Sequence, residues 1–350
     1  MPIFTPEYLH KVAYHIYRAK GTPDDEAETV ARHLVKANLT GHDSHGVIQI
    51  PTYAERIDAG HIVPGAEFEV VKEAPCTAVI NGNWGFGFVV TEKATRMAIE
   101  KAKTNGVAAI TVHHQSHIGR LGDYSIMMAA DGMIGMITAD SGAAPKHVAP
   151  FGGRARKLGT NPICICMPSN LDGPVLMDMA SSTVALGKIA LARSRKQDIP
   201  LGWIVDKDGN TTTDPNDYYS GGAILPVGAD QGHKGYALSF MVEVFSGLLT
   251  GLGFGIDPEA RHNDGVFIAA FNLEHFRPLE EFKKEMGEFV EYIKDSPPAA
   301  GFKEVLYPGE IEWKNEQTRR RDGIFVEDET WAQLSDLMES LNVEREVGKP

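Results

Sequence analysis

The chain has 350 residues, of which 43% are hydrophobic and 23% are charged, so it is long enough for a large core and about two or three domains. Asp and Glu number 47 against 34 Lys and Arg, which gives a formal net charge of −13. An acidic surface repels the phosphates of nucleic acids and of anionic lipids, so we expect neither nucleic acid nor a membrane as a partner.

The N-terminal part is predicted to form three helices. Thr5 and Thr22 each precede a proline, and a capping hydroxyl followed by proline is typical of a helix N-terminus. Apolar residues recur at helical spacing after each of them. A third helix is predicted over residues 53–62. The stretch GHDSHGVIQIPTY, residues 41–53, is predicted to begin as the loop that ends the second helix.

From residue 67 the chain has short runs rich in Val and Ile, bounded by Gly, Pro and Asn, which are typical of strands. The sum is predicted to be an α/β protein with helical ends and a sheet-rich middle. The predicted strands are residues 67–83, 106–114, 133–140, 162–168, 174–180, 202–215 (entering an Asp-Gly turn) and 265–273. The predicted helices are residues 91–105, 238–249 (buried) and 278–293, followed by a linker at 294–302 and a polar helical end.

Three further features indicate the cellular compartment. The opening MPIFTPEYLHKVAYHIYRAKG lacks the basic start, apolar centre and cleavage site of a secretory signal. The longest apolar run, KGYALSFMVEVFSGLLTG, contains Glu243 and is too short and polar to span a bilayer. The three cysteines, Cys76, Cys164 and Cys166, are odd in number and sparse, which favours free thiols in a reducing compartment. We therefore expect a cytoplasmic protein.

The usual dinucleotide fingerprint is missing. GNWGFG and GLGFG have a different glycine spacing from Gly-x-Gly-x-x-Gly and do not lie between a strand and a helix, so an ordinary Rossmann unit is not predicted. No P-loop, His-Glu-x-x-His or Cys-x-x-Cys motif occurs. Chemistry is expected instead from four polar clusters punctuated by glycine: HDSHG, HHQSHIGRLGDY, GTNPICICMP with DMASSTVALGK, and GHKGYA.

Two of these clusters offer a proton carrier. Imidazole exchanges its proton near neutral pH, so His45 is a candidate general acid or base, with Asp43 or Ser44 to orient its ring. His117 lies shortly before Arg120, whose guanidinium can hold a carboxylate or a phosphate through two parallel hydrogen bonds.

The other two clusters are typical of phosphate and ribose contacts. His233 and Lys234 stand just before a long helix, where free N–H groups and the helix dipole favour a phosphate. The DMASS run follows an apolar strand and offers small hydroxyls and an open backbone. The basic run at residues 154–157 is either a solvated face or a contact for the extra phosphate of NADP.

Other interpretations stay open for the same residues. A loop histidine is more often structural than catalytic, and Cys164 and Cys166 are best explained as buried apolar fillers. A zinc-dependent hydrolase would use His42, Asp43, His113 and His117, but their spacing matches no closed four-ligand set, so we predict no metal. A non-catalytic nucleotide-binding protein is a third interpretation.

Seven pieces of the sequence together resemble the type-2 malate/L-lactate dehydrogenase family, also called sulfolactate-dehydrogenase-like oxidoreductases. They follow the family's order, and the resemblance as a whole extends from Leu9 to about Ile324. HDSHG followed by IP-x-Y, and the HIGR form, are most similar to the hydroxycarboxylate dehydrogenase branch. The seven pieces are GHDSHGVIQIPTY, SHIGRLGDY, VAPFGG, GTNPICICMP, DMASSTVALGK, GHKGYAL and YPGE.

The resemblance implies a non-Rossmann sulfolactate-dehydrogenase-like α/β fold, with mixed sheets and helical N- and C-terminal segments, and a homodimer. The implied reaction is hydride transfer between NAD or NADP and a small 2-oxo or 2-hydroxy acid, with a histidine as proton donor or acceptor. The implied domains are discontinuous: a helical domain of residues 1–72 and 312–350, an α/β core of 73–125 and 222–311, and an inserted cofactor-binding domain of 126–221.

The resemblance also implies roles for individual residues. His45 is the expected proton donor at the nicotinamide, and His117 is kept because some family members are assigned its equivalent. Substrate contacts are expected from Ser44, Gln49, Tyr53 and Arg120. Cofactor contacts are expected from His45, Gly119, Arg120, Leu121, Asp178, Met179, Ala180, Ser181, Ser182, His233, Lys234, Asn272, Pro308, Gly309 and Glu310.

Gln49 departs from the family pattern. Many members have an arginine there, which is taken to hold the substrate carboxylate, and glutamine cannot supply that charge. Either Arg120 or Arg56 takes over this task, or the substrate differs from malate and lactate. The resemblance favours a substituted 2-oxo acid, while a diketo sugar acid and a cyclic imino acid stay open.

Overall fold

The computed structural model describes residues 2–140, 145–255, 261 and 264–349. The helices are α1 (Pro6–Ala19), α2 (Asp24–Leu39), α3 (Ile50–Asp58), α4 (Gly87–Asn105), α5 (Gly122–Ala130), α6 (Leu186–Ser194), α7 (Pro215–Tyr219), α8 (His233–Glu243), α9 (Leu279–Lys294), α10 (Glu310–Asp322), α11 (Asp328–Leu341) and α12 (Glu344–Val347). The strands are β1 (Ile3–Phe4), β2 (Glu69–Glu73), β3 (Thr77–Gly85), β4 (Val107–Gln115), β5 (Met133–Asp140), β6 (Ile163–Met167), β7 (Val175–Met179), β8 (Ile204–Val205), β9 (Thr211–Thr212), β10 (Ala223–Ile224), β11 (Gly265–Asn272) and β12 (Ile324–Phe325).

The largest sheet of the described residues has the order β2-β3-β4-β11-β5-β6-β7. β3 and β4 are parallel, and the other neighbouring pairs are antiparallel, so the predicted mixed sheet is confirmed. Residues 67–83, predicted as one strand, form the antiparallel pair β2 and β3. Ile80, Ile110, Ile137 and Ile268 are fully buried in this sheet. Burial of such a side chain contributes about 1.5–3 kcal/mol.

A second core joins the two ends of the chain. β1 pairs with β12, with Ile3 opposite Phe325. The apolar faces of α1, α2 and α11 close around this pair, and Leu9, Leu34 and Leu334 are fully buried there. The helical unit implied by the resemblance is therefore built from both ends of the chain, and its limits stay a prediction.

A third, smaller unit lies between β7 and α8. Its sheet has the order β10-β8-β9 and is accompanied by α6 and α7. The predicted Asp-Gly turn joins β8 to β9. Asp206 Oδ1 stabilises this turn by accepting the N–H groups of Asp208 (2.8 Å) and Asn210 (2.9 Å). The turn prediction is therefore confirmed. Val148, which precedes this unit in the sequence, forms a β-bridge with Ile224 of β10, and both residues belong to the hydrophobic core of the unit.

Of the two predicted helix caps, one is confirmed and the other is wrong. Thr5 Oγ1 accepts the N–H of Tyr8 at 3.1 Å, as a capping hydroxyl does. α2 instead begins at Asp24, and the hydroxyl of Thr22 is buried without a hydrogen-bond partner in the described residues. Three acidic residues in the first turn of α2 replace the cap, because negative charge is favourable at the positive end of the helix dipole.

The predicted helix over residues 238–249 is confirmed as helical, but the prediction that it is buried is wrong. Phe240, Met241 and Leu249 are 50%, 54% and 55% exposed. α8 ends at Glu243, and a turn of π type follows over Val244–Leu248. Helical spacing predicts an apolar face but does not tell what covers it. Among the described helices, none has the length and apolar character needed to cross a bilayer.

Candidate active site

The loop that carries His45 is held by Asn38, near the end of α2. Asn38 Nδ2 donates to Asp43 Oδ1 (2.7 Å), and Asn38 Oδ1 accepts the N–H of Val47 (2.8 Å). A Cβ atom at Gly46 would lie 2.1 Å from Asn38 Oδ1, so glycine is required for this close approach. The HDSHG motif is therefore a turn whose backbone conformation is fixed by its contacts with Asn38.

Ser44 and Gln49 determine the immediate surroundings of His45. Ser44 Oγ lies 3.0 Å from His45 Nδ1, whereas Asp43 is paired with Arg319 at 2.6 Å. Of the two residues expected to orient the ring, Ser44 is the one in contact. Gln49 Nε2 donates to the Ser44 carbonyl oxygen (2.8 Å). The glutamine amide therefore supports the loop, and the charge that holds a carboxylate must come from elsewhere.

His117, just beyond the end of β4, meets the same loop. Its ring stacks on that of His45, with the ring centroids 5.4 Å apart. Tyr53, on α3, bonds through its hydroxyl to His117 Nδ1 at 2.5 Å. The N–H of Ile118 donates to Asp264 Oδ2 (3.0 Å), which fixes the turn after the histidine. The two predicted catalytic histidines are therefore brought together by segments far apart in sequence.

The surroundings of His45 favour its neutral form. Burial lowers the pKa of His45 to about 4, and repulsion from His42 and Arg120 adds to this effect, while the carboxylate of Asp264 opposes it. The imidazole is therefore neutral at neutral pH and can accept a proton. Burial also raises the pKa of Tyr53 well above its usual range, so the tyrosine hydroxyl keeps its proton.

Arg120 has a buried guanidinium with two nitrogens that lack a hydrogen-bond partner among the described residues. Its side chain is 1% exposed, and Nη1 donates to Asp123 Oδ1 (2.8 Å). Nε lies 3.6 Å from Asp178 Oδ2, and neither Nε nor Nη2 has a hydrogen-bond partner among the described residues. A buried unpaired donor costs about 1–3 kcal/mol. Nε and Nη2 form one side of the guanidinium fork, the geometry that matches a carboxylate or a phosphate.

The turn that carries Gly119 and Leu121 packs against β7. The N–H of Gly122 donates to Asp178 Oδ2 (2.8 Å), and burial raises the pKa of Asp178. A Cβ atom at Gly122 would lie 2.7 Å from the guanidinium carbon of Arg120. Leu121 is 4% exposed and belongs to the sheet core, so its side chain packs while the backbone of the turn faces the arginine.

The run from Asp178 to Ser182 lies beside the start of α8. The Ser181 carbonyl accepts the N–H of Val227 (2.9 Å), and α8 begins shortly afterwards with the exposed His233 and Lys234. The hydroxyls of Ser181 and Ser182 each donate to a main-chain carbonyl at 3.0 Å. Both hydroxyls are therefore already bonded, and the half-buried Met179 and Ala180 are the accessible part of the run.

Pro308 and Gly309 lie against the start of β7. The N–H of Leu176 donates to the Pro308 carbonyl (2.9 Å), and Gly309 has φ +97°. A Cβ atom at Gly309 would lie 2.3 Å from the Pro174 carbonyl, so this position also requires glycine. Glu310 is paired with Lys294 at 2.5 Å, and its carboxylate therefore stabilises the start of α10.

Asn272 lies away from His117 and the turn that follows it. It ends β11, while Asp264, next to the turn after His117, immediately precedes the other end of this strand. At about 3.4 Å per residue the two ends lie about 24 Å apart. Asn272 Oδ1 accepts the N–H of Glu274 (3.2 Å) and caps a short turn there.

A cavity of about 450 Å³ opens beside Arg120, between α2, α5, the β6–β7 connection and α10. Glu312 and Trp313 line it from α10, and Lys36 lines it from α2. Glu312 also lies 3.7 Å from His42, which joins the cavity to the histidine loop. Small-molecule sites have volumes of about 300–1,000 Å³. The sequence motifs gave no signal for the α10 residues because these follow YPGE in a polar helix.

The basic run at residues 154–157 is used mainly for structure. Arg156 donates to the Gly222 carbonyl (2.7 Å) and lies over the Tyr218 ring at 4.0 Å. Arg154 is exposed and pairs with Asp208 at 3.5 Å. These contacts are those of a surface that stabilises the small unit between β7 and α8.

The residues of the zinc alternative have separate partners. His42 pairs with Glu312, Asp43 pairs with Arg319, and His113 contacts His114. Over residues 2–140, 145–255, 261 and 264–349, no group of three or more His, Cys, Asp and Glu is placed to hold a metal ion.

Comparison with known proteins identifies the family. The model of the malate/L-lactate dehydrogenase family matches residues 4–335. The chain belongs to this family. The malate/(S)-sulfolactate dehydrogenase of Methanothermus fervidus is 39% identical over 98% of the chain and 99% of its own length. Hydroxycarboxylate dehydrogenase B of Escherichia coli K12 is 33% identical over 99% of the chain and 95% of its own length.

Solved structures agree with this family and with the predicted fold. Sulfolactate dehydrogenase from Methanocaldococcus jannaschii superimposes with a TM-score of 0.91 at 38% identity, over 99% of both chains. Δ1-Piperideine-2-carboxylate reductase from Pseudomonas syringae has a TM-score of 0.82 at 25% identity, over 96% of this chain and 100% of its own. The predicted fold, the family and the enzyme class, a 2-hydroxy acid dehydrogenase that uses a nicotinamide coenzyme, are therefore confirmed.

Proposed function

We propose that this chain oxidises and reduces a small 2-hydroxy/2-oxo acid pair with His45 as the proton carrier, Arg120 as the clamp for the substrate carboxylate, and NAD or NADP as the coenzyme. The observation that carries the proposal is that the buried Nε and Nη2 of Arg120 have no hydrogen-bond partner within the described part of the chain. The charge of this guanidinium also reaches His45, whose pKa it lowers.

Arg120 supplies the two-pronged contact that Gln49 cannot make. A carboxylate that accepts from Nε and Nη2 would satisfy both buried donors and fix the neighbouring carbonyl or hydroxyl carbon. Orientation of this kind contributes on the order of 7–11 kcal/mol to catalysis. Malate and sulfolactate, named for the relatives, carry a second acidic group, and Arg56, 5.9 Å from the Tyr53 ring, is the nearby cation proposed to meet it.

His45 then moves the proton. Its Nδ1 faces Ser44 Oγ, so Nε2 is the nitrogen that accepts the hydroxyl proton during oxidation and returns it during reduction. The bound nicotinamide ring takes up or supplies the hydride. His117, bonded to Tyr53 through Nδ1 and stacked on His45, holds the first histidine in place. The low pKa of His45 supports faster oxidation at neutral pH, and reduction that speeds up as the pH falls.

The coenzyme is proposed to lie along the backbone segments that the structure brings side by side. Its phosphates fit the start of α8, where His233 and Lys234 are exposed and the first helical turn has no side-chain cap in the described residues. The turn with Gly119 and Leu121 and the segment Pro308-Gly309 are both hydrogen-bonded to β7, next to the run Asp178–Ser182, and we propose these segments as the remaining coenzyme contacts. The test for NAD against NADP is direct titration of both.

The decisive experiment measures NADH and NADPH oxidation with a panel of 2-oxo acids. We expect turnover with at least one dicarboxylic or sulfonated substrate. His45→Gln should lower kcat by about 10²–10⁴-fold while coenzyme binding, followed by nicotinamide fluorescence, is retained. His117→Gln is the matched variant and should lose less. Unchanged turnover in His45→Gln would remove this residue from the mechanism.

A cyclic imino acid is the second candidate substrate. The similarity to the Pseudomonas syringae reductase supports it, because that protein shares the fold over its whole length. A cyclic imine also carries the carboxylate that Arg120 would hold. Adding a cyclic imine to the panel separates the candidates, since the preferred substrate will show the higher kcat/KM.

The exposed apolar side of α8 and the following turn is proposed as the interface of a homodimer. Phe240, Met241, Leu248, Leu249 and Phe254 are each at least half exposed. No charged side chain lies between Glu243 and Gly255, so the patch is suited to a second copy of itself. Leu249→Asp should convert a dimer to a monomer in light scattering. The three free cysteines support the proposed cytoplasmic location.

A further inference from the structure

A line of buried charged groups leads away from Arg120 into the protein. Asp123 Oδ1 accepts from Arg120 Nη1 (2.8 Å), and its second oxygen lies 3.1 Å from His33 Nδ1. The other ring nitrogen of His33 lies 3.1 Å from Glu92 Oε2. The side chain of His33 is 1% exposed, so the imidazole has lost almost all contact with water.

The geometry requires His33 to be a cation. Ionised carboxylates only accept hydrogen bonds, so an imidazole between two of them must donate from both nitrogens, and only the doubly protonated ring can do that. Burial lowers the pKa of His33, but the hydrogen bonds to Asp123 and Glu92 outweigh it and raise the pKa overall. In turn, His33 and Arg120 outweigh burial and lower the pKa of Asp123 to about 2.

The ring of His33 is also prevented from turning. It stacks on Tyr124, with ring centroids 5.2 Å apart, and lies 5.4 Å from the ring of Phe88. At the outer end, Glu92 is held by Arg32 (2.6 Å) and Arg96 (2.8 Å). His33 therefore presents one fixed N–H to Asp123.

We propose that His33 is a positioning residue that acts through Asp123 to aim the unpaired side of Arg120 at the substrate carboxylate. Asp123 is the hydrogen-bond partner of Arg120 in the described residues, so the direction of the guanidinium follows from the direction of this carboxylate. His33 fixes that direction by occupying the second carboxylate oxygen. The inference rests on the proposed role of Arg120 as the carboxylate clamp.

The test compares KM and kcat in two backgrounds. His33→Asn can donate to one carboxylate but cannot bridge both, so we expect KM for the 2-oxo acid to rise about tenfold with kcat changed less than about twofold. In the Arg120→Gln background the same substitution should leave KM unchanged, because its target is already gone. His10→Asn is the control, since His10 pairs with Glu28 at 3.1 Å on the surface of α1 and α2.

The outcomes separate this inference from the function on which it rests. The positioning role is overturned if His33→Asn has the KM of the wild type. It is also overturned if His33→Asn raises KM equally in the wild-type and Arg120→Gln backgrounds. In both cases the dehydrogenase proposal stands. If wild-type protein reduces no member of the panel, both proposals fall. If His33→Asn does not fold, Glu92→Gln tests the same line one step further out and should raise KM about threefold, again only when Arg120 is present.

Discussion

Two buried cations, Arg120 and Lys146, show how differently this fold treats the same kind of group. The side chain of each is 1% exposed. Lys146 Nζ lies 3.2 Å from both Asp140 Oδ1 and Glu243 Oε1, so a carboxylate stands on either side of it. Arg120 bonds to Asp123 and has Asp178 3.6 Å from its Nε, but its Nε and Nη2 have no hydrogen-bond partner among the described residues. Lys146 therefore has a carboxylate partner on either side, whereas Arg120 has hydrogen-bond donors that a ligand could still use.

The difference indicates which cation is structural and which is functional. A buried charge is stable only when nearby groups compensate for its lost hydration. The chain provides that compensation for Lys146 from strand β5 and helix α8, and Asn161 Nδ2 completes it by donating to Glu243 (2.8 Å). The described residues provide fewer hydrogen-bond acceptors for Arg120 than its guanidinium can use, which is expected where a ligand supplies the missing acceptors.

The largest expected effect is on stability and follows from removing Lys146. Lys146→Met leaves two buried carboxylates, Asp140 and Glu243, without their cation, so we expect a loss of about 3–5 kcal/mol at pH 8. Denaturant midpoints measure it. Lys284→Met, at an exposed lysine paired with Glu288 at 3.5 Å, is the control and should change little. A stable Lys146→Met variant would show that the pair is not structural.

The next largest effect is on catalysis and follows from replacing Arg120. Arg120→Gln keeps hydrogen-bonding capacity but loses the charged fork, so kcat/KM for the 2-oxo acid should fall about 100-fold. The unfolding midpoint should change much less than in Lys146→Met, because the lost group was only partly paired. If Arg120→Gln lowers the unfolding midpoint as much as Lys146→Met does, the proposed contrast between the two cations is wrong.

A smaller effect concerns the pH dependence of stability. The pKa of His45 is lowered from 6.5 to about 4, so between these pH values the unfolded chain binds more protons than the folded one. The contribution of His45 to stability is therefore present above pH 6.5 and is lost as the pH falls towards 4. For this partly exposed ring we expect about 1–2 kcal/mol. His45→Gln should flatten this part of the stability profile, and Arg120→Gln should make it shallower.

The smallest effect is expected at Asp140. Burial raises the pKa of Asp140 to about 7, although Lys146 opposes this. Because the folded pKa is raised, stability falls as the pH rises from about 4 to 7. Asp140→Asn removes that loss but also removes one of the two carboxylate partners of Lys146. We expect the two changes to offset each other, so that the variant lies within about 1 kcal/mol of wild type at pH 8. A large loss would mean that Lys146 needs both carboxylates.

The sheet was largely predictable because its strands carry their signal locally. Residues 106–114, 133–140 and 265–273 were predicted as strands; β5 and β11 lie within these bounds, and β4 extends one residue further, to Gln115. α8 was predicted as buried because spacing reports an apolar face without reporting its partner. The cap predicted at Thr22 is wrong because α2 begins two residues later, at Asp24, with acidic residues in its first turn.

The site was predictable as a set of candidates but not as an arrangement. Motifs identified His45, His117 and Arg120. No local pattern could show that Tyr53 would bond to His117, or that Asp123 would bridge Arg120 to His33 across 90 residues. Such pairings are decided when helices and strands pack, and a polar residue on a helix has the same spacing whether it meets water or another charge.

The pairing of β1 with β12 has a consequence for how the enzyme is made. Val47, Ile50 and Tyr53, which flank His45, share one core with Ile324 and Leu334. The loop that carries His45 is synthesised early, but Ile324 and Leu334, which complete the core that its flanking residues share, are synthesised near the end of translation. The candidate active site is therefore expected to form only when translation is nearly complete. A chain stalled before residue 324 would lack part of the core against which the His45 loop packs.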